Sequence, residues 1–273
     1  MSDLEAALAR WSLTEPHRVA DTATSAVYRV RLPDGAQAAL KLLKPYGSDE
    51  IDGALYMQWC DGAGAAHIID IQGLSILMEW LDGGPLGDLV RSGRDDEATT
   101  ILCDVAMQLH QPRGVAGFKP LRQQFDALFS STPSIWPASH LPLAQRAMAI
   151  AEALFATLPP SIPLHGDLHH DNIMSSARSW LAIDPKGLLG DPAYDLANAF
   201  RNPYGADDLV RRPDRIDHLA DVFAQRLGLD RRRLLHWAAA HCALSACWDH
   251  QAGNSPAGNL IMLPLLLDAV DRA

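Results

Sequence analysis

LHGDLHHDNI at residues 164–173, followed by IDPKGLLGDPAYDLA at 183–197, is the part of the chain from which the rest is read. One short segment holds Asp167, Asn172, Asp184, Asp191 and Asp195 together with His165, His169 and His170. Apolar residues frame them: Ile162 and Leu164 before, Ile173 and Met174 between, Leu181 and Ile183 just ahead of Asp184. Short apolar runs that end in Asp or His have the pattern of buried strand ends presenting carboxylates to a cleft. Packing alone gives no reason to desolvate such groups, because a buried ionised carboxylate is costly unless something uses or pairs it.

Outward from that stretch, 273 residues with 48% apolar and 21% charged side chains suit one large domain or two modest lobes, with no long disordered tract. The longest apolar run, 260–267, is too short to span a bilayer and contains Pro264, so no membrane partner is expected. The start, MSDLEAALARW, is acidic and amphipathic and lacks a charged-then-apolar leader, and Cys60, Cys103, Cys242 and Cys247 form no C-x-x-C pair. A reduced, cytoplasmic protein is the expectation. A net charge of −10 disfavours nucleic acid, which needs a basic stripe, and favours a cationic small molecule in an acidic cleft.

Taken in order, 3–11 carries Leu4, Ala7, Leu8 and Trp11 on one helical face. Residues 27–32 alternate as a strand, PDGA turns the chain, and 37–43 returns as its hairpin partner. The preceding loop DTATSA is small and polar and could bring backbone N–H groups to a phosphate, although it has no glycine. Lys41 lies within an apolar strand and therefore needs an anionic partner. A helix over 48–60, capped by Ser48 with Asp49, Glu50 and Asp52 in its first turn, offers Glu50. Strands are expected at 68–71 and 75–80, and LDGGPL breaks the chain at Gly83 and Gly84. Helices are expected over 86–91, 98–110, near 121–129, and over 143–158, 191–200, 215–227, 231–248 and 259–270. Strands before helices, with a double-glycine break between, give an α+β, two-lobed chain divided as 1–81 and 82–273.

The spacing H-x-D-x-x-x-x-N, with an Asp twelve residues after the Asn, is the one phosphotransferases of the kinase fold use. Moving a phosphoryl group from ATP requires a cation on the phosphates, two hard oxygen ligands for magnesium, and a carboxylate beside the acceptor hydroxyl. Lys41, Glu50, Asp167, Asn172 and Asp184 occur in the order required. Two other classes compete. A metal hydrolase could use His165, Asp167, His169, His170 and Asp171, but their spacing matches no H-E-x-x-H pattern and leaves Lys41 and Asn172 without roles. A nucleotide-binding pseudokinase acting by interaction would be expected to have lost a catalytic position, and none is lost.

HGDLHHDNI and IDPKGLLGDPAYDLA, with AALK at 38–41, ILMEWLDGG at 76–84 and ALSACWDH at 243–250, resemble the aminoglycoside phosphotransferases, which share the protein-kinase fold. Within them the streptomycin 6-phosphotransferase and hydroxyurea-resistance kinase branch is the nearest likeness. The resemblance implies a small N-terminal lobe of antiparallel strands, a larger helical lobe, and ATP- and Mg2+-dependent phosphorylation of a small polar acceptor. Streptomycin at its 6-hydroxyl is the first expectation; hydroxyurea, a sugar or an amino alcohol is the alternative. It further implies Asp167 as catalytic base and Asn172 and Asp184 as magnesium ligands. Lys41 would lie on the α- and β-phosphates, held by Glu50, with Ser25 over the β-phosphate. Glu79 and Leu81 would meet adenine through their backbones, with Met78 behind the ring. Asp195 would brace the catalytic loop, with His165 structural. For the acceptor, His170, Trp248, Asp249 and His250 are candidates, with a pocket drawn from 115–160 and the C-terminal helices. Lys186 has no matched role but lies two residues after Asp184, near the phosphates.

Overall fold

Ser2 begins the first helix through a reciprocal cap: Glu5 N–H donates to Ser2 Oγ at 3.3 Å and Ser2 N–H to Glu5 Oε2 at 2.8 Å. The computed structural model describes residues 2–47, 50–114 and 117–273; the expected cap at Ser48 and Asp49, and the start of the acceptor segment at 115, lie outside them. Helix α1 (Asp3–Trp11) lays Leu4, Ala7, Leu8 and Trp11 on a cluster of Val30, Ala38, Leu40, Leu42 and Leu77. Trp11 Nε1–H also donates to Asp70 Oδ2 at 2.8 Å. The sheet beneath has strands β1 (Thr14–Asp21), β2 (Ser25–Arg31), β3 (Gln37–Leu43), β4 (Ile68–Gln72) and β5 (Ser75–Glu79). Their order is β1-β2-β3-β5-β4, antiparallel throughout.

Strand β1 is exposed along its whole length. It has no apolar alternation to announce it, and Pro16 suits its edge position. In β3 the two-residue period assigns the side chains to opposite faces: Ala38, Leu40 and Leu42 face α1, so Ala39, Lys41 and Leu43 face the other way. On that side packs α2 (Glu50–Cys60), through Ala54, Tyr56, Met57 and Cys60.

The remainder is mainly helical: α3 (Gly87–Arg91), α4 (Asp95–Leu109), α5 (Leu121–Gln124), α6 (Asp126–Phe129), α7 (Leu141–Ala156), α8 (Asp207–Val210), α9 (Pro213–Leu227), α10 (Arg231–Gln251) and α11 (Ala257–Arg272). Short strands run between them: β6 (Lys119–Pro120), β7 (Ile162–Leu164), β8 (Ile173–Ser175), β9 (Trp180–Ala182) and β10 (Leu188–Gly190). β10 lies between β6 and β7, and β8 pairs with β9. Helix α10 is buried on nearly every side from Leu234 to Cys247. Phe125, Phe155, Tyr194 and Trp237 pack edge-on against one another there, their ring centroids 5.2–5.8 Å apart.

Pro264 does not end the last helix; α11 runs through it. A proline lacks the N–H that would bond the carbonyl four residues back. That carbonyl, on Leu260, is instead 3.1 Å from His140 Nε2. Among the described residues no helix is long and apolar enough to cross a membrane, and all four cysteines are free and buried.

Candidate active site

Lys41 leaves β3 toward α2 and meets two carboxylates, Glu50 Oε2 at 2.8 Å and Asp184 Oδ1 at 2.7 Å. Burial alone would push its ammonium down; Asp184 and then Glu50 outweigh it, and the pKa is raised. Asp184 shows the converse: burial works against its charge, but Lys41 and, further off, Lys186 hold the carboxyl below its ordinary value. Helix α2 can approach this closely because residue 53 is glycine, where a Cβ would sit 2.0 Å from the Pro185 carbonyl oxygen. Asp184 itself adopts φ 55°, a left-handed conformation that costs a non-glycine residue about 1–3 kcal/mol.

Strands β7 and β8 bracket the loop 165–172, and its backbone is tied from beneath. Asp195 accepts from His165 N–H at 3.1 Å and Gly166 N–H at 2.7 Å, and lies 2.9 Å from His110 Nε2. The His165 ring is buried, so its pKa falls. As a neutral imidazole it accepts from Asp167 N–H through Nδ1 at 3.2 Å, leaving Nε2–H to donate to the Ile183 carbonyl at 3.0 Å. Asn172 Nδ2–H donates to the Asp167 carbonyl at 3.0 Å, which fixes the amide so that its oxygen points elsewhere. Asp167 Oδ1 accepts from Asn198 Nδ2–H at 2.7 Å. Asn198 is not among the residues the sequence singles out; nothing but its place just past Asp195 hints at it.

Two cavities share Lys41 and Asp184. One, about 410 Å3, is polar and lined by Thr22, Ser25, Glu50, Asp167, Asn172 and Lys186 among others. The second, about 250 Å3, is walled by Ala20, Val27, Ala39, Met78, Met174 and Ile183, with Glu79 and Leu81 at its rim. Apolar walls of this kind suit a flat heteroaromatic ring. Glu79 N–H is already spent on the His67 carbonyl at 2.9 Å, so any contact with a base falls to its carbonyl. In the loop before β2, Thr24 and Ser25 donate their N–H groups to Thr22 Oγ1 at 3.3 and 3.1 Å. A threonine hydroxyl therefore fastens the turn where other loops use glycine.

Several expected contacts are not as read from the sequence. His170 is fully buried with neither ring nitrogen partnered; His169, its neighbour, faces the polar cavity. Trp248 packs edge-on against the buried His241 ring, and His250 is exposed. Of that trio only Asp249 lines a third cavity of about 290 Å3, with Arg201, Tyr204, Asp207 and Asn259. Asp191 does not reach the cleft at all: it caps the turn at Ala193, accepts from Trp237 Nε1–H at 2.6 Å and pairs with Arg233. Among the described residues no three His, Cys, Asp or Glu side chains converge as a metal site. Asn172 and Asp184 remain as two oxygen donors from separate segments, the sparse set that suits magnesium beside phosphates.

A five-stranded antiparallel sheet over a helical body, with a Lys–Glu pair facing an Asp, Asn and Asp across a cleft, defines a small-molecule kinase of the protein-kinase-like fold. The chain belongs to the aminoglycoside/hydroxyurea antibiotic resistance kinases, a family it matches over residues 10–253. It is 38% identical over 246 residues to the streptomycin 3''-kinase of Klebsiella pneumoniae, covering 88% of this chain and 89% of that protein. It is 31% identical over 254 residues to the streptomycin 6-kinase of Streptomyces griseus, covering 89% and 81%. Among solved structures, a thermostable mutant of aminoglycoside phosphotransferase APH(4)-Ia, in ternary complex with AMP-PNP and hygromycin B, has a TM-score of 0.68 at 14% identity over 97% of this chain and 98% of that one.

Proposed function

We propose that this protein transfers the γ-phosphoryl group of ATP to a hydroxyl of a streptomycin-like aminoglycoside in the cytoplasm. The observation that carries the reading is Asp167, whose carboxylate is fixed by Asn198 and faces the same cavity as Lys41, Asn172 and Asp184. The nucleotide belongs to lobe 1–81, with adenine between Val27, Ala39 and Met78 on one side and Met174 and Ile183 on the other. Lys41, steadied by Glu50, takes the α- and β-phosphates, and Ser25 in its hydroxyl-fastened loop lies over them. Asn172 and Asp184 would hold Mg2+, which when bound neutralises charge on the β- and γ-phosphates. Asp167 orients the acceptor hydroxyl and receives its proton late in transfer, as the bond from phosphorus to the β–γ bridging oxygen breaks.

The acceptor belongs to lobe 82–273, in the third cavity, which meets the polar one at Tyr204. Its Asp207 and Asp249 suit a cationic, polyhydroxylated molecule, as does the overall acidity. The hydroxyl modified is a separate matter. The sequence motifs favour position 6, but the higher identity to a 3''-kinase makes the 3''-hydroxyl the first choice and the 6-hydroxyl the second. The test is ADP release on adding streptomycin to protein, ATP and Mg2+, with two-dimensional NMR of the product to locate the phosphate. Failure to release ADP with streptomycin, hygromycin, hydroxyurea or sugars, while AMP-PNP still binds, would assign the chain to an interaction role.

A further inference from the structure

Among the described residues, the charges around the polar cavity leave one cation uncommitted. Lys41 is taken by Glu50 and Asp184, and Asp171 by Arg91 at 2.9 Å. His169 offers no free charge either, since its Nδ1 accepts from Asp171 N–H at 3.2 Å. Lys186 lines the same cavity and is exposed. Among the described residues it has no hydrogen-bond or ion-pair partner for its ammonium.

Its backbone, by contrast, is pinned. Lys186 N–H donates to the His165 carbonyl at 2.6 Å. Gly166, at φ 80°, lets the chain pass so close that a Cβ there would lie 3.1 Å from Lys186 Cβ and 2.8 Å from Leu188 Cδ1. From the other side α2 abuts the Pro185 carbonyl at Gly53. The root of the side chain is thus held against the turn leading into Asp167, while four methylenes and an ammonium remain free to reach.

Transfer of a phosphoryl group spreads negative charge over its three equatorial oxygens, and a positioned cation at that point is the kind of interaction that lowers the barrier most. Lys41 is committed to the α- and β-phosphates in the reaction proposed above. Building on that reading, we propose that Lys186 is a second catalytic residue, the cation that contacts the γ-phosphoryl group while it moves. In this step the acceptor oxygen forms its bond to phosphorus. The bridging P–O bond breaks with its electron pair leaving on ADP, and the hydroxyl proton passes to Asp167. Lys186 exchanges no proton in this step.

The experiment compares Lys186→Met and Lys186→Arg with the unsubstituted protein, and circular dichroism confirms that both variants fold. For Lys186→Met, kcat is expected to fall about 100- to 1000-fold, with part of it regained in Lys186→Arg. Affinity for AMP-PNP is expected to hold, while affinity for ADP with aluminium fluoride, which mimics the moving phosphoryl group, falls in step with kcat. Two results overturn the inference while leaving the parent reading intact. One is Lys186→Met turning over like the unsubstituted protein; the other is equal loss of AMP-PNP and ADP–aluminium fluoride binding, which would make Lys186 a ground-state contact. If the unsubstituted protein transfers phosphate to no acceptor, both readings fail.

Discussion

Asp167 depends on a neighbour whose role cannot be read from spacing. Asn198 donates to Oδ1 at 2.7 Å and is itself steadied by Arg201 Nε–H, at 2.7 Å from its amide oxygen. Arg201 continues to Asn259, which donates to Asp249 Oδ2 at 2.7 Å. This polar chain therefore runs from the proposed base to the floor of the proposed acceptor cavity. Removing the amide frees the carboxylate to rotate away from the acceptor hydroxyl. Asn198→Ala is expected to lower kcat about 10- to 100-fold while AMP-PNP binding holds; an unchanged kcat in steady-state assays would show that Asp167 orients itself. Buried histidines add a pH dependence that belongs to the fold rather than to the chemistry. His241 sits between Tyr194 Oη at 3.0 Å and Ser245 Oγ at 3.4 Å. Burial first, then Arg201 and His169, push its pKa well below the ordinary 6.5. The unfolded chain therefore takes up this proton first as pH falls. The stability is fully present above about 6.5 and is lost below it, by up to about 1.4 kcal/mol per pH unit for one histidine. His241→Gln should flatten the fall in urea-unfolding free energy between pH 6.5 and 5.5 by about 1 kcal/mol, and an unaltered slope would mean the ring is already charged in the fold. Lys41, Asn172 and Asp184 stood out in the sequence because each is a polar residue beside an apolar strand, and the structure brings all three to one cavity. His170 was the acceptor candidate, but it opens a short 3-10 helix and is buried while His169, its cap, lines the cavity, a choice that only packing makes.

At the level of elements, most helices and strands were visible from periodicity, and the departures have local causes. β1 has no buried face to pattern it. The segment 192–201 is a 3-10 helix rather than an α-helix, begun by Asp191 and followed by a tight turn. The helix expected over 259–270 does run through Pro264, and what the sequence does not show is that the His140 ring at the start of α7 meets the Leu260 carbonyl the proline leaves unbonded. That substitution of partners can be measured. His140→Ala leaves the Leu260 carbonyl without its side-chain donor and is expected to cost about 1 kcal/mol. In a Pro264→Ala background the new backbone N–H can take the same carbonyl, so the same change should cost much less. A double-mutant cycle from urea denaturation reads the difference as a coupling energy between residues 140 and 264. Strict additivity would mean that the His140 contact does not stand in for the backbone donor the proline lacks.

Over the whole molecule, a sheet followed by a mainly helical body was legible from the order of elements. The seam that joins them was not, because its residues are distant in sequence and chemically ordinary. Ala66 N–H bonds the Ala182 carbonyl and Ala182 N–H the Gly64 carbonyl, both at 2.9 Å. Over this backbone stitching lies Arg178, in the turn between β8 and β9. It donates to the Gly62 carbonyl at 2.7 Å, the Ala65 carbonyl at 3.2 Å and Glu79 Oε2 at 3.2 Å. One guanidinium thus gathers the end of α2, the approach to β4 and the strand that rims the apolar cavity. Arg178→Ala strands two carbonyls and, among the described residues, leaves the Glu79 carboxylate with the His67 N–H at 2.6 Å. Because the Arg178 side chain is 43% exposed, water repairs part of the loss, and the cost in unfolding free energy should be about 1–2 kcal/mol. The functional effect should be selective. With Glu79 and Leu81 less firmly placed, AMP-PNP affinity falls several-fold, whereas kcat at saturating ATP holds because Asp167 and its supports lie on the far side of the seam. Nucleotide titration beside urea denaturation separates the outcomes: lost stability with full nucleotide affinity would make Arg178 a rivet for the fold alone, and lost kcat at saturation would show that the seam also sets the position of the catalytic loop.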